Sequence, residues 1–225
     1  MRTAPAAQRI VNALTRQHPG AETELHYRNP FELLVATVLS AQSNDARVNT
    51  VTPALFARYP DATTMSRAGV AALESIIRST GFFRQKARSL IGLAQGIANS
   101  YDGRVPASMD ALTALPGVGR KTANVVLGHA LGVPGFPVDR HVLRVSQRIG
   151  LTDGLGPEQV ESELCALLPA AHWTQASDVL ILHGRRVCKP VPICAQCTIR
   201  QHCDYVSRTA SSESHDAPGV RTTGH

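Results

Sequence analysis

The spacing of apolar residues along the chain predicts a series of helices. Residues 5–17 place aliphatic side chains on one face and basic or amide side chains on the other, and the His-Pro-Gly sequence at 18–20 ends this first helix. A second helix is predicted to begin at the Asn-Pro capping pair, residues 29–30. The run from 31 to 39 is apolar on nearly all sides, which is typical of a helix buried in the centre of a domain.

The same pattern predicts further helices over residues 46–57, 67–78, 84–99 and 108–114, from about 120, after 139, from 157, and over 176–187. The helix at 84–99 has the clearest apolar stripe, and Lys86 falls outside it among the polar residues. No segment alternates polar and apolar residues for long enough to predict a strand. We therefore expect an all-α fold, with a disordered tail beyond about residue 207, where the composition is too polar to pack.

Two interruptions of this pattern are candidates for function. Residues 40–45 form a polar cluster directly after the most apolar helix, although the Asn-Asp pair at its end would also suit the N-cap of the next helix. Residues 80–86 form a glycine turn that presents two adjacent phenylalanines beside basic side chains. Since adjacent side chains cannot point the same way, one of Phe82 and Phe83 is expected in the core, and the other could be an exposed wedge.

Residues 115–127 join a candidate phosphate-binding turn to a candidate nucleophile. Pro116 fixes φ at the entry to the turn, while Gly117 and Gly119 tolerate positive φ and leave backbone N–H groups uncovered. The helix that begins near Arg120 adds free N–H groups, the positive end of its dipole and a guanidinium, a combination that favours phosphate. The alternative is a turn that only joins two packed helices.

Two ionisable residues are candidates for catalysis. Lys121 is predicted in the first turn of that helix, where the dipole and Arg120 disfavour the protonated amine, and desolvation in a pocket would add to this effect. The alternative is a solvated surface lysine. Asp139 precedes another helix and suits its N-cap, and a carboxylate there can cap the helix and still serve a neighbouring cleft.

Composition and charge limit the function classes. At 225 residues the chain forms one large domain or two small ones, and its 43% hydrophobic content is that of a globular protein. The net charge of +6 and the isoelectric point near 9.4 favour a polyanionic partner such as nucleic acid. No apolar run approaches the roughly 18 residues of a membrane span, and the start of the chain does not resemble a signal peptide, so we expect a cytosolic protein.

Four of the five cysteines fall close together in a C-x5-C-x2-C-x5-C pattern, formed by Cys188, Cys194, Cys197 and Cys203. Thiolates this close repel one another unless a cation organises them, which predicts a metal site. Zinc and a [4Fe–4S] cluster both accept four thiolates. One close pair between two longer loops suits the larger cluster better, and the neighbouring Arg185 and Arg186 predict a basic surface beside it.

Four motifs in this order resemble the endonuclease III family of base-excision DNA glycosylases. They are the Ser-Ala-Gln sequence at 40–42, the Leu-Pro-Gly-Val-Gly-Arg-Lys-Thr-Ala-Asn sequence at 115–124, the Val-Asp-Arg-His sequence at 138–141, and the cysteine loop. The resemblance runs from about residue 25 to 206. It implies a six-helix domain over 23–133 that carries a helix-hairpin-helix, a cluster domain formed by 1–22 and 134–206, and a tail over 207–225.

The resemblance also implies a function and a set of site residues. The implied enzyme removes oxidised pyrimidines from double-stranded DNA and cleaves the strand 3′ to the abasic site by β-elimination, as a monomer in the cytoplasm or, in a bacterium, at the nucleoid. Lys121 would be the nucleophile and Asp139 its acid/base partner, with a [4Fe–4S] cluster on the four cysteines. DNA would be contacted by Gln42, Phe82, Gly117, Val118, Gly119, Arg120, Arg185 and Arg186.

Three positions depart from the family's pattern. The first cysteine loop has five residues where six are usual, Ser43-Asn44 replaces a small residue followed by Thr, and Phe82 stands where an aliphatic wedge is common. Two other functions remain open at this point. One is a monofunctional glycosylase for mismatched or alkylated bases, which would not need Lys121. The other is a non-catalytic helix-hairpin-helix DNA-binding protein with a structural zinc.

Overall fold

The computed structural model describes residues 2–213, and this part of the chain contains helices and connecting segments but no strand. The prediction of an all-α fold is confirmed. The α-helices are α1 (Ala4–Gln17), α2 (Pro30–Ser40), α3 (Asp45–Arg58), α4 (Ala62–Ser66), α5 (Val70–Ile77), α6 (Phe83–Ser100), α7 (Met109–Thr113), α8 (Arg120–Ala130), α9 (Arg140–Ile149), α10 (Pro157–Leu167), α11 (Trp173–Arg186) and α12 (Asp204–Glu213). None of the described helices is long and apolar enough to cross a membrane.

The capping residues expected from the sequence begin the central helices. Asn29 accepts a hydrogen bond from the N–H of Glu32 at the start of α2, and Pro30 occupies the first helical position. Asn44 caps α3 in the same way, through the N–H of Arg47. The polar cluster after α2 therefore does contain an N-cap, and Asn44 rather than Asp45 provides it.

The helix predicted over 67–78 corresponds to α5, which begins three residues later than expected, and the short helix before it, α4, was not predicted. A capping box begins α4, because the Asp61 side chain accepts from the N–H of Thr64 while the Thr64 hydroxyl lies near the N–H of Asp61. The chain leaves α4 at Arg67, and α5 begins after Gly69. The apolar spacing located α5 but did not reveal the turn in front of it.

The predicted tail begins with a helix. Residues 207–213, expected to be disordered, belong to α12, which starts directly after Cys203. The start of α12 is held by an ion pair between Arg2 and Asp204 and by the Arg148 guanidinium, which lies 4.9 Å from the centre of the Tyr205 ring. These contacts lie far apart in sequence, so a local composition argument missed them. The rest of the predicted tail, 214–225, lies outside the described residues.

The chain divides into two compact units. The larger comprises Glu22–Pro137 and Pro169–Ser177, and within the described residues the smaller is formed by 2–21, Val138–Leu168 and 178–213. Residues 22, 134–137 and 169–177, which we placed in the cluster domain, thus group with the larger unit; the domain division stays a prediction. In the larger unit α2 is the buried centre and packs against α3, α6 and α8.

Candidate active site

The hairpin between α7 and α8 is a tight turn that requires glycine at one position and leaves space at the other. Gly117 has φ +78°, and a Cβ there would lie 2.7 Å from the Cβ of Ser89 on α6. Gly119, which also tolerates positive φ, does not adopt it: this residue is the N-cap of α8 with φ −92°. A Cβ at Gly119 would meet no atom within 4 Å, so this glycine keeps the space in front of α8 open.

The start of α8 has the properties of an anion-binding site. The N-cap of α8 makes no side-chain hydrogen bond, and the first N–H groups of a helix have no acceptor within the helix itself. The first turn contains no acidic residue, while Arg120 and Lys121 are both exposed there. Uncovered amides, the positive end of the helix dipole and two cationic side chains together suit a phosphate group.

Lys121 and Lys86 lie in very different environments. Lys121 is exposed, so the desolvation that we expected to help its amine is not present in the protein alone. Lys86 is only 6% exposed, although we predicted it on the polar side of its helix, and burial lowers the pKa of its amine. Its Nζ donates to the carbonyl oxygens of Leu39 and Thr80, each at 2.7 Å. The buried amine is thus held by the protein, whereas Lys121 can reach a ligand.

Asp139 caps α9, as its sequence position predicts. Its Oδ1 accepts from the N–H groups of His141 and Val142, at 2.7 and 2.9 Å. Both bonds use one oxygen, so Oδ2 is left for another group. The side chain is half-buried and belongs to the smaller unit. Burial lowers the pKa of His141, the next titratable group along α9 that is partly buried, although the Asp139 charge acts in the opposite direction.

Gln42 and Phe82 occupy exposed turns with left-handed backbone conformations. Their φ values are +54° and +46°, which only Asp102 shares among the non-glycine residues that the structure describes. This conformation costs roughly 1–2 kcal/mol for a residue with a Cβ. Phe82 is 67% exposed, whereas Phe83 packs against the core of the larger unit, so the expected division between the two rings is confirmed. Strained backbone at an exposed position is typical of a functional site.

The four cysteines of the C-terminal pattern line one cavity of the smaller unit. Cys188 and Cys203 are buried, Cys194 and Cys197 are partly buried, and apolar side chains form much of the remaining wall. Burial is the main cause that raises the pKa of the Cys197 thiol, and the other three cysteines raise it further. Within residues 2–213, no group of His, Cys, Asp or Glu side chains is arranged around a position for a single metal ion.

Two arginines of α9 hold the cysteine loop, and sequence reasoning gave them no role. Arg144 donates to the carbonyl oxygens of Cys188 and Gly184, at 3.1 and 3.0 Å. Arg148 donates to the carbonyl oxygens of Lys189 and Pro190, and its guanidinium lies 3.6 Å from the Cys188 sulfur. The available signal was their spacing of four residues, which places both on one face of α9.

A buried histidine pair also contacts the cysteine loop. His18 Nε2 and His183 Nδ1 are 2.9 Å apart, and His183 Nε2 is 3.6 Å from the Cys197 sulfur. Burial lowers the pKa of His183 to about 4, with a smaller contribution from His18, so the ring is neutral near pH 7. No local pattern indicated this pair, because its members are 165 residues apart.

The predicted Arg185 and Arg186 are exposed in the last turn of α11.

The predicted residues thus form groups in each unit. In the larger unit the Gln42 turn follows α2 and the Phe82 turn precedes α6. The hairpin packs beside the same two helices, since Gly117 lies against Ser89 of α6 and close to Val38 of α2. In the smaller unit are Asp139, the two exposed arginines and the cysteines.

Comparison with known proteins identifies several relatives. The HhH-GPD superfamily of base excision DNA repair proteins matches residues 35–170. Endonuclease III of Synechocystis sp. is 48% identical over 88% of this chain and 91% of that relative, and endonuclease III of Escherichia coli (strain K12) is 41% identical over 87% and 93%. The solved structure of a trapped endonuclease III–DNA covalent intermediate is 40% identical, covers 93% of this chain and all of that one, and has a TM-score of 0.86.

Proposed function

The chain belongs to the endonuclease III family within the HhH-GPD superfamily of base excision DNA repair proteins, and we propose that it is a bifunctional DNA glycosylase and abasic-site lyase. It removes oxidised pyrimidines from double-stranded DNA and then cleaves the strand 3′ to the lesion. The observation that carries this proposal is the exposed Lys121 amine directly behind the open N-terminus of α8. A phosphate bound there would place a sugar of the same strand near the amine.

DNA binding precedes the chemistry. A base inside the duplex cannot be attacked, so the damaged nucleotide is extruded, at an unstacking cost of a few kcal/mol that damage reduces. The amides and cations at the start of α8 hold the phosphate, and Arg185 and Arg186 add phosphate contacts that do not depend on sequence. Gln42 and Phe82 enter the space left in the stack, which is supported by their exposure and their left-handed backbone.

The chemistry uses two side chains. The Lys121 amine forms a bond to C1′ of the sugar while the glycosidic bond breaks and the base departs with the bonding electrons. The C1′–O4′ bond of the sugar then breaks, with a proton delivered to O4′, and the ring-opened sugar is an imine of Lys121. The imine makes the C2′ proton acidic, and removal of this proton expels the 3′ phosphate by cleavage of the C3′–O bond. Asp139 accepts the proton that the lysine loses or stabilises positive charge on the sugar, through the Oδ2 that its capping role does not use. A trapped covalent intermediate of a similar protein supports this route.

The donor set of the smaller unit fits a [4Fe–4S] cluster. Cys188, Cys194, Cys197 and Cys203 would hold it, in a wall where the Arg148 guanidinium and the His183 ring approach sulfur. When bound, the cluster supplies a rigid support for the basic loop around it. We also propose that the protein acts as a monomer in the cytoplasm, in a bacterium at the nucleoid. Purified anaerobically, it should contain about four irons per chain, and one zinc in their place would contradict the cluster.

Borohydride trapping tests the lyase mechanism. Wild-type protein incubated with a duplex that contains an oxidised pyrimidine should form a covalent adduct when the imine is reduced. Lys121→Gln should abolish the adduct and strand cleavage, while binding is largely kept because the backbone amides of the hairpin and Arg120 are unchanged. Lys189→Gln, which removes another exposed amine, is the control and should still trap.

The products separate the remaining functions. A nicked strand supports the bifunctional enzyme, an intact abasic strand indicates a monofunctional glycosylase, and untouched DNA indicates a binding protein. If folded Lys121→Gln still forms the adduct, another amine is the nucleophile and the assignment of Lys121 is wrong.

A further inference from the structure

A buried ammonium group joins the two turns that carry Gln42 and Phe82. The Lys86 Nζ is 2.7 Å from the carbonyl oxygen of Leu39 and 2.7 Å from that of Thr80. Leu39 lies in the last turn of α2, three residues before Gln42, and Thr80 lies two residues before Phe82. One side chain thus contacts the backbone on which both exposed turns begin.

Both the end of α2 and the start of α6 favour this contact of Lys86. The last turn of α2 contains no basic residue, and the last carbonyl groups of a helix have no partner within it, so an ammonium from another element complements that helix end. Lys86 lies near the start of α6, where side chains point back toward the N-terminus. Its own N–H donates to the carbonyl of Phe82 at 3.1 Å, so the main chain and the side chain of Lys86 both hold the Phe82 turn.

The energetics indicate a role beyond packing. A buried ammonium loses its hydration, and the partners shown for Lys86 are two neutral carbonyl groups; no carboxylate in the described part of the chain forms an ion pair with it. An apolar side chain of similar length would fill the same space without desolvating a charge. A buried charge does, however, favour one arrangement of its partners, because the movement of either carbonyl removes one of the two hydrogen bonds shown for the cation.

We propose that Lys86 is a positioning residue for base extrusion, whose ammonium fixes the end of α2 to the start of α6. Gln42 and Phe82 are thereby presented to the duplex at a fixed separation, with their strained backbone already formed. The role in extrusion rests on the proposed function, in which both residues enter the stack. The link between the two turns does not, because it is a property of the protein without DNA.

Hydrogen–deuterium exchange without DNA tests the link between the turns. In Lys86→Met, amides of residues 40–44 and of 80–84 should both exchange roughly tenfold faster, while those of α8 keep their wild-type rates. Arg67→Met removes one exposed cation from the same unit and should exchange like wild type. Lys86→Arg keeps the charge and the donors and should restore part of the protection. If Lys86→Met does not fold, Lys86→Gln, which keeps one donor group, replaces it. Unchanged exchange in either segment would overturn the link.

Single-turnover assays test the consequence for DNA. On a duplex with an oxidised pyrimidine, Lys86→Met should excise the base roughly 10- to 100-fold more slowly, with nearly unchanged affinity because the hairpin is intact. A 2-aminopurine beside the lesion should lose the fluorescence increase that reports unstacking. Cleavage of a single-stranded abasic substrate, which requires no extrusion, should proceed at the wild-type rate.

The outcomes separate the two proposals. Wild-type excision by a variant whose turns exchange faster would overturn the positioning role. Equal slowing on the duplex and on the single-stranded substrate would also overturn it, because the defect would then lie in the chemistry. Wild-type protein that excises no base would instead overturn the proposed function, and the exchange rates would still decide whether Lys86 links the turns.

Discussion

Alanine at the two glycines of the hairpin should affect two different properties. Gly117→Ala should lower the stability of the protein, and Gly119→Ala should lower its affinity for DNA. In Gly117→Ala the new residue would be held at φ +78°, which costs roughly 1–2 kcal/mol. Its Cβ would also lie 2.7 Å from the Ser89 Cβ, and such overpacking costs about 1–3 kcal/mol more. We expect a loss of about 3 kcal/mol in the free energy of unfolding. For a chain of this length, that loss lowers the melting temperature by roughly 6–12 °C.

Gly119→Ala should leave stability nearly unchanged. The new Cβ meets no atom within 4 Å and φ is −92°, so the lower entropy of the unfolded chain favours the variant. Alanine is a poorer N-cap than glycine, and the two effects should cancel to within about 0.5 kcal/mol. The methyl group nevertheless covers the amides at the start of α8. The affinity for duplex DNA should therefore fall roughly tenfold, the equivalent of one hydrogen bond to a charged group.

Thermal melts and fluorescence anisotropy with a labelled duplex measure the two effects. Gly69→Ala is the matched control, because Gly69 is also an N-cap with no atom near its Cβ position, but on α5. It should keep both stability and DNA affinity. Adding Ser89→Gly to Gly117→Ala should remove the steric part of the loss and leave the conformational part. The reasoning fails if Gly117→Ala melts like wild type, or if Gly119→Ala binds DNA as well as Gly69→Ala does.

Three further results are expected. Asp139→Asn should keep the stability of wild type to within a few tenths of a kcal/mol, because Asn also caps helices, yet lose base release in single-turnover assays, whereas Asp139→Ala should lose about 1 kcal/mol as well. Replacing Arg185 and Arg186 by Ala should weaken binding to all duplexes alike and flatten the dependence of log affinity on log salt; a changed lesion preference would place them in the base pocket. Hydrogen bonds, above all from the Thr152 hydroxyl, lower the pKa of Glu163, so their contribution to stability is complete above the ordinary carboxyl pKa and disappears as pH falls through the lowered value. Acid unfolding should thus show wild type more stable than Glu163→Gln near neutral pH and equal to it at the lowest pH.

The sequence predicted the features that depend on local physics. Helix periods, the caps at Asn29 and Asn44, and the exposure of one of two adjacent phenylalanines all follow from neighbours a few residues apart. The same holds for Asp139, because its position before an apolar stripe predicted the N-cap that it forms on α9. The exposed cations at the start of α8 were predictable for a related reason, since the hairpin, Arg120 and Lys121 are adjacent in the chain, while their roles in catalysis stay a prediction.

The features that depend on distant partners were not predictable in this way. The apolar pattern placed Lys86 on a solvated face, because periodicity cannot show that a long stem reaches carbonyl groups of another element. Glu32, which is only 2% exposed, lies inside the run that we described as apolar. Its carboxylate forms an ion pair with Arg28, a residue that precedes the helix. Burial alone would also have selected a different amine from the one in the hairpin motif, since Lys86 and not Lys121 is the desolvated one.

The smaller unit combines segments that are far apart in the sequence, and this affects the order in which the protein can fold during its synthesis. The contact between His18 and His183 cannot form until His183 has been synthesised, 165 residues after His18. At 5–20 residues per second, a ribosome needs roughly 8–33 s to make that stretch. The larger unit ends at Ser177, so all of its sequence has been made by then, whereas α1 has emerged with Ile10, Val11 and Leu14 uncovered. The nascent chain therefore carries α1 with its apolar face uncovered until the residues around His183 have been made. A bulky N-terminal fusion should obstruct maturation at this late step, and assembly of the cysteine site would be the last event to occur.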